Sequence, residues 1–354
     1  MSHSHSPRRV TLRPLACSPA VGFPLVHSAA PAPAPAAVTL ADWLERWMDE
    51  EIEPIRAETT AGGYWNIIRR HVVPALGAVR LSQLTPELIN GYYRWLLEER
   101  GLSPNTVRKH HILLHTALES AFRQGVLPAN PVRRAAPPRA SAPRVSCYTP
   151  ARLVRLLREV EGSPLELPVK LACCLGLRRG EVLGLRWQDV DLQAGLVSVR
   201  WARTAVGYRV VEKPPKTDDS CRTLSIQSMS SLLSLLRRLR EERRKAGVPC
   251  GPEDFLVLNA AGQPWHPNVL SAAFAAFVAE RGLPPITLHG LRHTFASMAN
   301  NARVPMYQIS RAMGHSSPGV TQRIYTHLFD QTHGEVLAAV AEAVKASSTS
   351  LTSA

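Results

Sequence analysis

The chain has no run of about 18 apolar residues free of proline and charge, so it offers no membrane-spanning helix. It has no C-x-x-C pair. Its six cysteines are Cys17, Cys147, Cys173, Cys174, Cys221 and Cys250, and only Cys173 and Cys174 are adjacent. That spacing suits neither a disulfide frame nor a zinc site, and it reads as small buried residues of a reduced, cytosolic protein. There is no Walker loop and no acidic metal cluster, so no metal and no cofactor is expected. Acidic residues are few: 28 Asp and Glu stand against 42 Lys and Arg, a net charge of +14. A surplus of that size points to a polyanion as partner, nucleic acid being the commonest; a merely soluble basic surface is the plainer alternative.

What is there fills two domains. The chain of 354 residues is 45% apolar, enough for two sizeable cores. Residues 1–37 form a Ser/His/Pro/Ala segment with no periodicity, read as disordered. Ser6-Pro7-Arg8-Arg9-Val10 has a faint twin-arginine look, but Pro14, Pro19 and Pro24 break the apolar stretch a leader requires. His3 and His5 alternate with serines and read as part of a solvated tail.

Order begins at Val38. Thr39 and Asp42 form a capping box, and Leu40, Trp43, Leu44, Trp47 and Met48 mark one helical face. A second helix is expected over residues 60–71, carrying Tyr64, Trp65, Ile67 and Ile68 and ended by Pro74 and Gly77. A third starts at Thr85-Pro86, with Glu87 at its positive end, and closes before Gly101. Its apolar set is Leu88, Ile89, Tyr92, Tyr93, Leu96 and Leu97. A fourth starts at Ser103-Pro104, runs to Gly125 and carries Val107, Ile112, Leu113, Leu114, Leu118 and Phe122. Residues 38–131 thus read as an all-helical domain. Arg108 and Lys109 lie on its last helix. Arg133, Arg134, Arg139 and Arg144 follow in a Pro-rich connector, residues 132–147, with no acidic residue between Arg123 and Arg144. Such a connector suits contact with a phosphate backbone; a solvated linker is the plain alternative.

The second domain, residues 148–330, opens on a helix at Thr149-Pro150 with Leu153, Leu156 and Leu157. Residues 165–175 are apolar nearly all round, a buried helix stopped by Gly176. A short helix at 180–185 follows. Strands are expected at 196–201, 208–212 and 221–226, forming one small antiparallel sheet around the polar turn that exposes Lys213 and Lys216. Helices at 228–245 and 268–281 flank a short buried element at 255–258. Trp187 and Trp201 read as core. Residues 331–354 read as a C-terminal helix, from Gln331 to Lys345, and a frayed tail. The fold class is mainly α with a small antiparallel β-sheet.

One stretch, from Thr287 to His327, gathers two histidines around an arginine, a Gly-His-Ser-Ser turn and a tyrosine. Arginine and histidine hold phosphates and move protons, and tyrosine can act as a nucleophile. Four local matches then fall in order: GLRRGEVLGLRWQDVD, PPKTDDSCRTL, HGLRHTFAS and MGHSSPGVTQRIYTH. Together they make the second domain resemble the catalytic domain of the tyrosine recombinase (phage integrase) family, and the helical domain resembles that family's core-binding domain. The resemblance covers nearly all of residues 38–345 and implies the family's DNA-breaking-rejoining fold.

Carried onto this sequence, the resemblance makes Tyr325 the nucleophile that attacks a DNA phosphate and leaves a 3′-phosphotyrosyl link. Arg178 and Arg292 grip the non-bridging oxygens, where two always-charged guanidinium forks suit the added negative charge. Lys216 protonates the leaving 5′-oxygen, with Lys213 as its competitor. His289 serves acid–base chemistry, and His315 hydrogen-bonds the phosphate. Arg179 competes with Arg178, and Glu181 is expected to pair or cap beside the arginines. His289 and His293 have the spacing of a metal pair, but no convincing third ligand accompanies them. The resemblance further implies double-stranded DNA at a specific attachment site, a homotetramer on two sites with a Holliday-junction intermediate, a monomer off DNA, and a cytoplasmic location. Residues 1–37 do not look like the arm-binding domain that phage integrases often carry, which leaves a simpler recombinase open. The rival readings are a type IB topoisomerase-like enzyme and a non-catalytic DNA-binding regulator on the same fold.

Overall fold

The structure is a computed structural model and describes residues 38–141, 146–214 and 221–314. The first helix, α1 (Leu40–Trp47), starts where Thr39 caps it. The Thr39 hydroxyl accepts from the Asp42 backbone N–H at 3.2 Å, and the Asp42 carboxylate accepts from the Thr39 N–H at 3.1 Å. This reciprocal pair satisfies two donors that a helix start leaves orphaned. The expected face is buried: Leu40, Trp43, Leu44, Trp47 and Met48 all lie in the core. The Trp43 indole N–H donates to the Ala117 carbonyl at 2.9 Å, tying α1 to the fourth long helix.

The second helix runs further than its prolines suggest. α2 (Glu58–Ile67) passes through a π-helical turn at Ile68–Val72 into α3 (Val73–Leu76), so Pro74 does not end it. In that turn the Val73 N–H reaches back to the Ile68 carbonyl. Pro74 then sits in the first turn of α3, where a missing N–H costs little. α4 (Pro86–Glu98) and α5 (Pro104–Arg123) are capped by the side chains of Thr85 and Ser103 as expected. Leu88, Ile112 and Phe122, expected inside, are exposed instead, Ile112 to 56%. Its neighbour His110 takes the inward position. The connector expected from residue 132 starts as a 3-10 turn (Pro131–Arg134) whose Val132 is buried in this same core, with Asn130 capping it.

His110 has a consequence for stability. Its Nδ1 lies 2.8 Å from the Tyr92 hydroxyl. Burial, then the neighbouring His71, push its pKa from 6.5 down to about 4. The folded protein therefore refuses a proton that the unfolded chain takes up. Stability from this group is complete above pH 6.5 and is lost as pH falls toward 4, by up to about 3 kcal/mol. The melting temperature is expected to fall on acidification from neutral pH, and His110→Gln should flatten that slope while keeping a partner for Tyr92. A slope unchanged in the variant would place the proton uptake elsewhere.

The second body starts with α6 (Pro150–Glu159), capped by Thr149, and α7 (Glu166–Cys174). After α8 (Arg179–Gly184) come five short strands: β1 (Val190–Asp191), β2 (Leu196–Val199), β3 (Ala202–Val206), β4 (Arg209–Lys213) and β5 (Arg222–Ser225). They form two sheets rather than one. β1, β2 and β5 make an antiparallel three-stranded sheet, with Val197 opposite Leu224 and Val199 opposite Arg222. β3 and β4 make a separate hairpin. The break falls at Trp201, which is 40% exposed rather than core, whereas Trp187 is buried. Gly184 explains the break: a Cβ there would stand 2.5 Å from the Trp201 carbonyl oxygen, so α8 presses on the backbone between the sheets.

α9 (Ser230–Lys245), α10 (Pro267–Glu280), α11 (Leu288–Asn301) and α12 (Met306–Met313) complete the described residues. The cysteines depart from the sequence reading. Of those described, only Cys173 is buried; Cys147, Cys174 and Cys250 are half-buried and Cys221 is exposed, all as free thiols. The hairpin also meets the helical body. Lys213 Nζ donates to the Thr59 hydroxyl at 2.9 Å, Arg209 pairs with Glu58 at 3.3 Å, and Val206 packs where a Gly62 side chain would stand.

Candidate active site

Two helix starts carry the site. Gly176, at φ +64°, turns the chain from α7 toward α8. A Cβ there would meet the Phe295 ring at 2.6 Å, so both backbone conformation and space demand glycine. The turn delivers Arg178 as the N-cap of α8. Its backbone N–H donates to Glu181 Oε2 at 2.9 Å and its Nη1 to Glu181 Oε1 at 2.6 Å. The Glu at the third helical position thus caps and pairs in one step, as expected from sequence. Arg179 points away and donates to the Pro267 carbonyl and the Ser271 hydroxyl, holding α10.

The second start is α11, capped by the Thr287 hydroxyl, which accepts from the Gly290 N–H at 3.0 Å. His289, Arg292 and His293 follow at helical spacing and share a face. Gly290 lets this turn lie close to the Ser146 carbonyl, which a Cβ would approach to 3.0 Å. α11 packs along α7, and so Arg292 Nη1 reaches the Gly176 carbonyl at 2.6 Å. The Arg292 side chain is 1% exposed.

Arg178 and Arg292 meet at Glu181. Arg178 pairs with its carboxylate at 2.6 Å, and Arg292 stands 3.8 Å from it. A third arginine, Arg222 of β5, pairs with the same carboxylate at 2.9 Å. Burial works to raise the Glu181 pKa, but Arg222 and Arg178 outweigh it and hold the carboxyl below its usual value. One buried anion among three guanidiniums leaves a site of net positive charge, suited to a phosphate. His289 opens to solvent on one side. The protein packed around it, then the Arg292 and Arg178 charges, push its pKa down, leaving it neutral near pH 7 and able to accept a proton. His293 stacks edge-on at 4.5 Å between ring centres, and burial pushes its pKa to about 4. Among the described residues no group of three His, Cys, Asp or Glu side chains is arranged to hold a metal.

Of the six candidate catalytic residues, the structure brings three together: Arg178 and Arg292 stand at the Glu181 carboxylate, and His289 lies close enough to feel both of their charges. Lys216, His315 and Tyr325 lie outside the described residues, as does Arg144. The competing Lys213 is the one donating to Thr59. Among the candidate DNA contacts, Lys109, Arg134 and Arg139 are exposed. Arg108 donates to the Pro138 carbonyl at 3.2 Å, and Arg133 is held by Glu119 in an ion pair. Arg222 is the residue that sequence reasoning passed over, although it stands only six positions after Lys216 in the sequence. Its spacing two before Leu224 on a strand was the available signal, since it shares the inward face with that leucine.

A model of the phage integrase family matches residues 148–332, and a model of the phage integrase SAM-like domain matches residues 39–136. The tyrosine recombinase XerC-like protein of Caldanaerobacter subterraneus subsp. tengcongensis is 27% identical over 314 residues, covering 82% of this chain and 80% of that protein. An integrase of Streptomyces ambofaciens is 27% identical over 303 residues, covering 82% and 77%. Among solved structures, the Tn1549 transposon integrase in complex with a circular intermediate DNA superposes with a TM-score of 0.73 at 20% identity, covering 85% of this chain and 99% of that one. A lambda integrase tetramer bound to a Holliday junction superposes with a TM-score of 0.60 at 18% identity, covering 81% and 77%. Fold and relatives together define a site-specific DNA recombinase of the tyrosine class. The chain belongs to the phage integrase family.

Proposed function

We propose that the protein cuts and rejoins duplex DNA at a specific attachment site through a 3′-phosphotyrosyl link on Tyr325, without metal or ATP. The observation that carries this reading is the convergence of Arg178 and Arg292 on Glu181, with the neutral His289 beside them. The two guanidiniums neutralise the non-bridging oxygens as charge builds on the phosphate. The Tyr325 oxygen bonds to phosphorus, the bond from phosphorus to the 5′-oxygen breaks, and Lys216 supplies the proton that the leaving oxygen takes. His289 accepts the tyrosine proton, and His315 hydrogen-bonds the phosphate. The phosphodiester energy is kept in the new link, so the reverse attack by a 5′-hydroxyl reseals the strand. Two such exchanges pass through a Holliday junction, with four subunits on two sites and a monomer off DNA. Exposed Lys109, Arg134 and Arg139, with Arg108, Arg133 and Arg144, are assigned to the DNA backbone.

In this reading residues 38–131 and 148–330 close on the duplex from two sides, and the basic connector at 132–147 crosses the backbone between them. The C-terminal helix from Gln331 is assigned to contact with a neighbouring subunit. A cytoplasmic location goes with a DNA substrate; no helix among the described residues is long and apolar enough to cross a membrane.

The test uses a nicked duplex carrying the protein's attachment site, so that cleavage traps the covalent adduct. The wild-type chain is expected to form an adduct stable to denaturation, and Tyr325→Phe to form none. An adduct that persists in the variant, or none from the wild type on the correct site, would sink the mechanism. Relaxation of supercoiled plasmid lacking that site would favour a topoisomerase instead.

A further inference from the structure

The C-terminal end of α12 is held by three arginines on three successive carbonyls. Arg222 Nε donates to Ala312 O at 2.7 Å, Arg292 Nη2 to Met313 O at 2.8 Å, and Arg178 Nη2 to Gly314 O at 2.8 Å. These carbonyls stand at the negative end of the helix, where the ladder has run out of partners. Gly314, at φ +66°, ends the helix in the left-handed conformation. The same three guanidiniums surround Glu181, so one carboxylate and one helix end are bridged three times over.

On the proposed function, two of the three bridges share their arginines with the DNA phosphate. A phosphate that takes up Arg178 and Arg292 competes with their carbonyls, because charge-assisted bonds to an anion are the stronger kind. Arg222 has a different setting. Its side chain is 7% exposed, and its Nη1 and Nη2 approach both Glu181 oxygens, at 3.4 and 2.9 Å, while Nε holds Ala312. It projects from the start of β5, six residues after Lys216 in the sequence.

We propose that Arg222 is a positioning residue for strand cleavage. It neutralises Glu181, so that Arg178 and Arg292 keep their charge for the phosphate, and it keeps the end of α12 in register while those two are engaged. The catalytic half of this inference rests on the proposed function above; the anchoring of α12 does not.

The test is Arg222→Met, with Arg222→Lys as the conservative partner, in the full-length protein. In single-turnover cleavage of the nicked attachment-site duplex, Arg222→Met should lose on the order of 10- to 100-fold in rate at saturating DNA, the usual cost of removing a group behind the reacting ones. Half-saturating DNA should change little, and Arg222→Lys should recover part of the rate by restoring the charge. Without DNA, amide hydrogen exchange over residues 306–314 should quicken in Arg222→Met, and less so in Arg222→Lys. Wild-type rate in Arg222→Met, or a loss matched by lost DNA affinity and unrescued by lysine, overturns the positioning role. Unchanged exchange at the end of α12 overturns the anchor. If the wild type forms no adduct, it is the proposed function that fails, and the exchange measurement still decides the anchor.

Discussion

Arg292→Lys should cut strand cleavage by about 10² to 10³, the loss seen when one donor to a developing oxyanion is removed. The guanidinium reaches Gly176 O at 2.6 Å and Met313 O at 2.8 Å from one rigid plane, with Glu181 3.8 Å away. A lysine ammonium is a compact point charge on a flexible stem and cannot span the two carbonyls in that plane. One of them then stays buried and unpaired, at a cost of about 1–3 kcal/mol in stability. The kinetic signature separates this from misfolding. Single-turnover cleavage at saturating DNA should fall, while half-saturating DNA moves little, because one phosphate among many carries little of the total affinity. A variant with near-normal cleavage would remove Arg292 from the reacting phosphate.

How much of this was legible in the sequence depends on range. Helix starts were read correctly because capping is local: Thr39 with Asp42, Thr85 with Pro86, Ser103 with Pro104 and Thr149 with Pro150 each sit within one turn. Faces were read less well. Ile112 lies about 100° around α5 from its buried neighbour Leu113, and the apolar character of both hid that angle. His110 took the inward place because Tyr92, from another helix, gives its ring a partner. Pro74 looks like a stop in the sequence because nothing local announces the π-helical turn that accommodates it. The single sheet became two because Gly184 of α8 meets the backbone at Trp201, a contact between segments whose closeness no strand pattern encodes.

The candidate site divides in the same way. Arg178, His289 and Arg292 stand in short motifs and were found from them. Glu181 was placed beside the arginines because it lies one turn from Arg178. Arg222 was not, because its bonds run 41 residues back to Glu181 and 90 residues on to Ala312. A buried arginine on a strand edge is a mark of function or of paired charge, since such a group is rarely buried alone.

Glu181→Gln carries the second large effect, and it is one of sign as well as size. The carboxylate is buried and faces the Arg222 and Arg292 side chains, both nearly closed to solvent. Removing its charge leaves those cations uncompensated, a change that costs about 3–5 kcal/mol when one partner of a buried pair is lost. Glutamine keeps one acceptor oxygen, so the loss should sit at the lower end, read as a shift in the urea midpoint at pH 7. Acid changes the comparison. The arginines hold the Glu181 pKa below its usual 4.5, so its contribution is complete above that value and is lost as pH falls through the lower, folded value. The stability gap between wild type and Glu181→Gln is therefore expected to narrow below about pH 4.5, as the wild type takes up the proton that the variant has no group to bind. DNA affinity should move the other way. With the anion gone, the positive charge of Arg178 and Arg292, with Arg222 behind them, is unopposed, and binding at low salt should hold or tighten while cleavage falls. Tight binding with slow cleavage would place Glu181 in the geometry of the arginines rather than in their charge. Weakened binding together with an unchanged gap in acid would mean that the carboxylate does not govern this cluster.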